Sequence, residues 1–408
     1  MKIATIFFLF FLILISCATD DKNVPASGIW RAELEVMDGK VLPFTFKIST
    51  NENGQHSMQI YNAQEEIVVD ELVIERDSFV ITPPIFEGYL AGKFTKNTMD
   101  GKFIKESLER IVPFKAVFGE HERFAAPRIP LFDISGDWEV VFLESDGSTY
   151  PAKGIFDQQG SQVTGTFRTT TGDYRYLDGV MDNDSLKLSV FDGGHAFLFI
   201  AKVTDTSLTG NFYSGNHSKE LFTAKRNPFY ELPDEDSLTF LKEGYDKLAF
   251  SFPDTARNLI SLNDERFEDK IVVVQLMGTW CPNCLDETLF LTNYLTEHPN
   301  NDLEVVALAF ENEKTEAGAF NRIERLRQRI GINYPILLAQ FGSSNKEKAQ
   351  EKLPMLNHVL SFPTTIFIDK KGNVRKIHTG FNGPATGTKY EEFKTEFDNF
   401  ITELNEEK

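Results

Sequence analysis

Two stretches of this chain copy each other, and that duplication limits the possible folds more than any other feature. Ser27-Gly28-Ile29-Trp30 returns as Ser135-Gly136-Asp137-Trp138, an offset of 108 residues. Pro43 and Pro151, Asp70 and Asp178, and Phe114-Lys115-Ala116 and Phe222-Thr223-Ala224 keep that offset. Gly101-Lys102-Phe103 and Gly210-Asn211-Phe212 stand 109 apart, so one inserted residue accounts for the slip. Residues 27–120 and 133–227 therefore read as tandem copies of one unit, and a fold for one must serve the other.

Each copy breaks into short segments of alternating polarity, such as Leu42–Ile48, Val163–Arg168, Ser185–Val190, Ala196–Val203 and Leu208–Tyr213. Alternation between turn-forming Gly, Asp and Asn predicts strands in an antiparallel meander. The Gly-x-Trp opening resembles the first strand of lipocalin-like and avidin-like barrels, where Trp closes one end. Closure would hide the sheet edges. At some 95 residues a copy is short for eight full strands, so a sandwich stays open beside the barrel. No polar cluster recurs at matching mouth positions. The copies therefore read as scaffold, spacer or docking surface rather than ligand carriers.

The 408 residues suffice for two to four domains. Sixty-one acidic against 42 basic residues leave a formal charge of −19, which repels phosphate backbones and argues against nucleic-acid binding. Beyond the first fifteen positions no apolar run approaches the roughly 20 residues that span a bilayer. Within them, Met1-Lys2 precede an apolar run from Ile3 to Ile15, too short to span and suited to a secretory signal. Leu14-Ile15-Ser16-Cys17 resembles the bacterial lipoprotein box. That resemblance implies a signal over 1–17, lipid on Cys17, a polar tether over 18–26, and export to a bacterial envelope membrane, periplasm-facing or at the surface.

With Cys17 committed to lipid, only Cys281 and Cys284 remain. An exported chain without further cysteines has no structural staples, so this pair forms a local reversible disulfide, binds something, or is idle. A linker over 228–246 leads to a region, 247–405, that alternates strand and helix. Strands are expected at Ile271–Met277, Leu303–Phe310, Thr364–Ile368 and Val374–His378, and helices from the cysteine pair to Glu297, over Thr315–Ile330, over Ser344–Asn357 and over Lys389–Leu404. A buried strand running into Trp280-Cys281-Pro282-Asn283-Cys284 at a helix start reads as thioredoxin-like. Ser361-Phe362-Pro363-Thr364 follows, with Pro363 82 residues after Cys281, where thioredoxin folds place a cis-proline beside the disulfide. The expected fold class is thus an α/β thioredoxin-like C-terminal domain preceded by two tandem all-β repeats.

Residues 247–405 resemble the TlpA/ResA-like thiol–disulfide oxidoreductases, a thioredoxin-like, AhpC/TSA-related group of membrane-anchored exported proteins. Gly278-Thr279-Trp280 before the first Cys, Glu287 three residues after the second, and Gln275 in place of a buried Asp carry the resemblance. Leu289 departs from it, since the family often has Pro there. The resemblance implies disulfide exchange with envelope proteins, with the chain acting as a reductant recharged by a membrane-bound electron donor. It implies no cofactor and no metal.

A thiolate is the attacking species, and free Cys has a pKa of about 8.5. At the N-terminus of a helix, unpaired N–H groups and the macrodipole favour the thiolate of Cys281. Cys281 attacks a substrate disulfide, and Cys284, buried one turn along, resolves the mixed disulfide. Pro282 and Asn283 tune the potential, and Trp280 shapes the substrate groove. Pro363 leaves the Phe362 backbone free to pair with an extended substrate. Proton transfer to Cys284 needs a base. Glu311, Glu313 and Glu287 are the candidates, and Glu311 is the choice because the family often has an acid after the second central strand.

Zinc would need four ligands that one Cys pair does not supply. A peroxiredoxin-like peroxidase shares the fold, but its Thr spacing is missing and no Arg lies near Cys281 in sequence. Leu285 stands where haem attachment needs His. A different class of reading makes the repeats an envelope binding protein with the redox domain accessory. Under the oxidoreductase reading, deleting residues 27–227 should largely spare activity.

Overall fold

The computed structural model describes residues 24–299 and 302–407. Cys17, the signal and the tether up to residue 23 lie outside the described residues.

The duplication is written in the backbone. Gly28–Glu35 and Gly136–Leu143 open the two copies, and each lies between the next strand of its copy and the last. Trp30 and Trp138 are fully buried at equivalent places. The indole N–H of each donates to the carbonyl four residues earlier, Ala26 at 2.9 Å and Ile134 at 2.8 Å. In the second copy eight strands close completely, because Thr149–Gln159 pairs with both Gly136–Leu143 and Gln162–Thr169. The length that left a sandwich open is enough, since connections such as Asn183-Asp184 and Gly160-Ser161 take only two residues. The first copy follows the same path in a nine-stranded, barrel-like sheet whose end strands, Glu65–Val69 and Glu71–Glu75, adjoin in sequence without forming a ladder.

Alternation decides what points inward. In Val41–Thr50, Leu42, Phe44, Phe46 and Ile48 are buried while Val41 and Lys47 face water. Side chains fill both interiors. In the second barrel Phe142, Phe167, Phe199, Phe212 and Phe222 meet with ring centroids 4.6–6.4 Å apart. The copies also dock on each other. Phe191 of the second joins the core of the first, stacked on Phe44 at 4.4 Å and edge-on to Phe103 at 5.1 Å. Arg123, between the copies, donates to the Ser189 carbonyl at 3.0 Å and faces Asp178 at 3.2 Å.

The C-terminal domain is a five-stranded sheet with Ile271–Met277 at its centre. Leu303–Phe310 and then Ile336–Gln340 run parallel on one side, and Thr364–Ile368 and Val374–Thr379 antiparallel on the other. All seven residues of the central strand are buried, as a strand covered on both faces requires. The helices are α1 (Pro282–Glu297), α2 (Glu316–Ile330), α3 (Lys346–Lys352) and α4 (Thr388–Glu406). This is the thioredoxin-like arrangement. Two elements differ from expectation: Ile336–Gln340 is an added strand, and α3 stops at Lys352 because Pro354 cannot continue a helix. The 228–246 segment is tied down, with Glu235 on Arg168 at 3.3 Å and Asp236 on His378 at 2.7 Å. Among the described residues no helix is long and apolar enough to cross a membrane.

Candidate active site

The apolar central strand ends at Met277, and Gly278-Thr279-Trp280 turns the chain into α1. Cys281 is the N-cap of that helix and Pro282 its first residue, where a missing N–H costs nothing. The Cys284 N–H points at Cys281 Sγ, 3.1 Å away, so the first turn directs a donor at the sulfur that must carry negative charge. The two cysteines are joined as a disulfide with Cα atoms 5.2 Å apart. Cys281 keeps 6% of its surface while Cys284 has none, so a thiol partner can reach only the first sulfur directly.

The sequence-predicted groove residues surround the pair. The Phe362–Pro363 bond is cis, and the Phe362 carbonyl lies 3.4 Å from Cys281 Sγ. Trp280 anchors its indole N–H on the Phe310 carbonyl at 2.9 Å and meets Phe362 edge-on at 5.9 Å. Pro282 and Asn283 are buried.

Two carboxyls stand behind the motif. Glu311 accepts from the Thr279 N–H at 2.8 Å and hydroxyl at 2.7 Å, so it fastens the turn before Cys281. Glu287 lies three residues past Cys284 on α1 and accepts from Gln275 Nε2 at 2.8 Å and from Thr365. The same Gln275 amide approaches the Cys284 carbonyl at 3.4 Å. Burial pushes each carboxyl up to about 7, against the pull of the hydrogen bonds it accepts. Glu313 pairs with Arg322 at 2.8 Å on a half-exposed surface.

What the sequence did not disclose is how far the β repeats reach into this site. The loop from Thr169 to Tyr176 of the second barrel lies against α1 and the cis-proline turn. Ser361 donates to the Thr171 carbonyl at 3.0 Å, and Asn283 Nδ2 to the Asp173 carbonyl at 3.1 Å. Gly172 has φ +138°, and a Cβ there would sit 2.0 Å from Asn283 Nδ2, so only glycine permits the contact. Asp173 accepts from Gly383 N–H at 2.6 Å, and Arg168 donates to Asn382 at 3.1 Å.

Arg175 is the centre of this contact. Buried with a left-handed φ of 62°, it binds Asp286 of α1 and Glu65 of the first copy, and lies 3.6 Å from Asp192 of the second. One guanidinium thus joins all three domains beside Pro282 of the cysteine motif. Burial raises Asp286 to about 6, against the attraction of Arg175. The fold therefore does bring an Arg near the motif, but its donors go to carboxylates and to the Pro282 carbonyl at 3.4 Å. Nothing short-range marks Arg175; it stands 111 residues from Asp286. Among the described residues no group of His, Cys, Asp and Glu could hold a metal ion.

The protein-family model for Redoxin matches residues 242–393. Among curated proteins, the thiol-disulfide oxidoreductase ResA of Bacillus subtilis is 26% identical over 140 residues, covering 34% of this chain and 69% of that one. The thioredoxin-like protein YneN of the same organism is 28% identical over 141 residues, covering 34% of this chain and 73% of its own. Among solved structures, a thiol-disulfide oxidoreductase from Bacteroides fragilis is 17% identical with a TM-score of 0.28, covering 36% of this chain and 99% of that one. The two β copies lie outside the Redoxin match.

Proposed function

Starting from a C-terminal Redoxin domain homologous to the ResA thiol-disulfide oxidoreductases, we propose that this chain is an exported, lipid-tethered reductant of protein disulfides in a bacterial envelope. The observation that carries the reading is the asymmetric pair: a slightly exposed Cys281 at a helix start beside the cis-Pro363 turn, and a fully buried Cys284 behind it.

In the reduced enzyme, the Cys281 thiolate attacks one sulfur of a substrate disulfide. A Cys281–substrate bond forms, and the other substrate sulfur leaves as a thiolate and takes a proton. Cys284 then gives up its proton and attacks Cys281 Sγ, which releases the second substrate thiolate. The substrate gains two electrons and the enzyme keeps the disulfide, to be reduced by a dithiol donor at the membrane. Phe362 offers its backbone to an extended substrate. Glu287 suits the role of proton acceptor for Cys284 better than Glu311. It sits one turn along the same helix, linked to the Cys284 carbonyl through Gln275, whereas Glu311 is bound to Thr279 in the turn before Cys281.

The test is an equilibrium titration of the pair against glutathione, with Cys281→Ser as control. A potential near the thioredoxin value of about −270 mV supports a reductant, and one near about −120 mV makes it an oxidant. If Cys281→Ser still reduces insulin disulfides, the assignment fails. For the tether, Cys17→Ala should move the protein from membrane to soluble fractions; membrane retention would remove that part of the reading.

A further inference from the structure

A cavity of about 420 Å3 opens over Cys281, and its walls come from all three domains. Trp280, Asn283 and Phe362 belong to the redox domain, Gly172 to the second barrel, and Lys105 and Arg110 to the first copy. The volume falls in the roughly 300–1,000 Å3 range of small-ligand sites, so it admits a chain segment and not a folded partner.

Two features specify the ligand. Lys105 and Arg110 face each other across the end of the Thr98–Lys105 and Arg110–Phe118 hairpin. Among the described residues neither forms an ion pair; the Lys105 ammonium donates to the Gly194 carbonyl, and Arg110 has no side-chain acceptor. Two carboxylates, Glu87 in the cavity wall and Asp192, attract Lys105 through space, and each is also held by other donors. Glu87 accepts from Ser107, and Asp192 from the backbone of Gly194 and His195. In a chain of net charge −19, Lys105 and Arg110 place two basic side chains in the wall of the cavity that opens over Cys281. The second feature is Asn283 Oδ1. It is buried in the wall with no hydrogen-bond partner, although its amide nitrogen is used, and the residue is only 9% exposed. A buried acceptor of this kind calls for a donor from outside.

We propose that this chamber recognises the part of the substrate next to its disulfide: a slender peptidyl segment carrying a carboxylate. The carboxylate meets Arg110 and Lys105 through charge-assisted hydrogen bonds, and an amide N–H of the segment meets Asn283. The inference rests on the thiol-exchange reading and adds the substrate class. This chemistry has two sources, a free peptide disulfide of low molecular weight or an acidic segment of an unfolded polypeptide.

The full-length protein, reduced and freed of reductant, is exposed to four disulfides, and free thiols are counted over time. These are neutral hydroxyethyl disulfide, oxidised glutathione, and two unstructured cystine-linked peptides, one flanked by Glu and one by Lys. The Glu peptide should react about tenfold faster than the Lys peptide, the factor that one charge-assisted hydrogen bond supplies. Arg110→Glu should collapse that ratio and Arg110→Lys should restore much of it. Because a ratio is read, a variant that merely folds poorly lowers both rates and leaves it intact. An equal rate for both peptides, or a ratio indifferent to Arg110→Glu, overturns the chamber's role. Oxidised glutathione as fast as the Glu peptide assigns the free disulfide as source, and a slower rate assigns the unfolded chain. If hydroxyethyl disulfide also leaves the thiols untouched, the exchange reading itself falls, and this inference with it.

Discussion

Glu287 is a carboxyl kept in a place that resists its charge. Its ordinary value is 4.5 and burial lifts it to about 7, so the folded protein binds this proton more tightly than the unfolded chain does. The resulting stabilisation is complete below pH 4.5 and is lost as pH rises through about 7. A difference of that size corresponds to about 3 kcal/mol. Glu287→Gln should therefore unfold at higher urea than the parent at pH 8, by about 1–3 kcal/mol, and match it near pH 4. The same substitution should slow release of the Cys281 mixed disulfide near neutral pH by about a hundredfold, the usual scale of a lost general base. Equal release rates in parent and variant would return the proton to Glu311. Thr279→Val would then be informative, since it removes one of the hydrogen bonds that hold Glu311 and leaves Glu287 alone.

At the level of elements, the loop between Thr169 and Tyr176 does more for the site than any helix besides α1. Arg175→Met would leave Asp286, Glu65 and Asp192 without their shared cation, and stranding buried charge costs about 3–5 kcal/mol. Adding Asp286→Asn should recover part of that loss, and a double-mutant cycle by urea denaturation measures the coupling. If the two changes are simply additive, the pair is incidental. The legibility of the elements divides along the same line. Ile271–Met277 could be read because a fully buried strand is an apolar run, and Leu42–Ile48 because a half-buried one alternates. Ile336–Gln340 escaped notice, since five buried residues without alternation announce neither strand nor helix. The helix expected over Ser344–Asn357 ran through Pro354, and α3 ends before it, at Lys352. For the site, Cys281 and Cys284 were visible because Cys-x-x-Cys after Trp280 is a local pattern, and Pro363 because it stands directly before the Thr364–Ile368 strand. Arg175, Asp173 and Gly172 were not, because their partners are supplied by tertiary contacts between domains.

Seen whole, the molecule holds its redox pair between three domains, so the β copies are not a dispensable spacer. The expectation that residues 27–227 could be removed at little cost depended on a site built from the C-terminal domain alone. Their removal would strip the walls bearing Lys105, Arg110 and Gly172 from the cavity over Cys281 and leave Asp286 without Arg175. Docking also carries a dependence on pH. Four carboxyls, Glu65, Asp173, Asp192 and Asp286, share the surroundings of Arg175, and burial lifts Asp286 from 3.8 to about 6. The contribution of that proton to the stability of the folded protein is complete below pH 3.8 and lost as pH rises through about 6. Calorimetry of the oxidised protein at pH 5 should then show the β copies and the redox domain unfolding closer together than at pH 8. Asp286→Asn, which cannot ionise, should keep the pH 5 pattern at pH 8. Identical traces for parent and variant at pH 8 would show that this carboxyl has no part in holding the domains, and the tie would have to be sought in the uncharged contacts of Asn283 and Ser361.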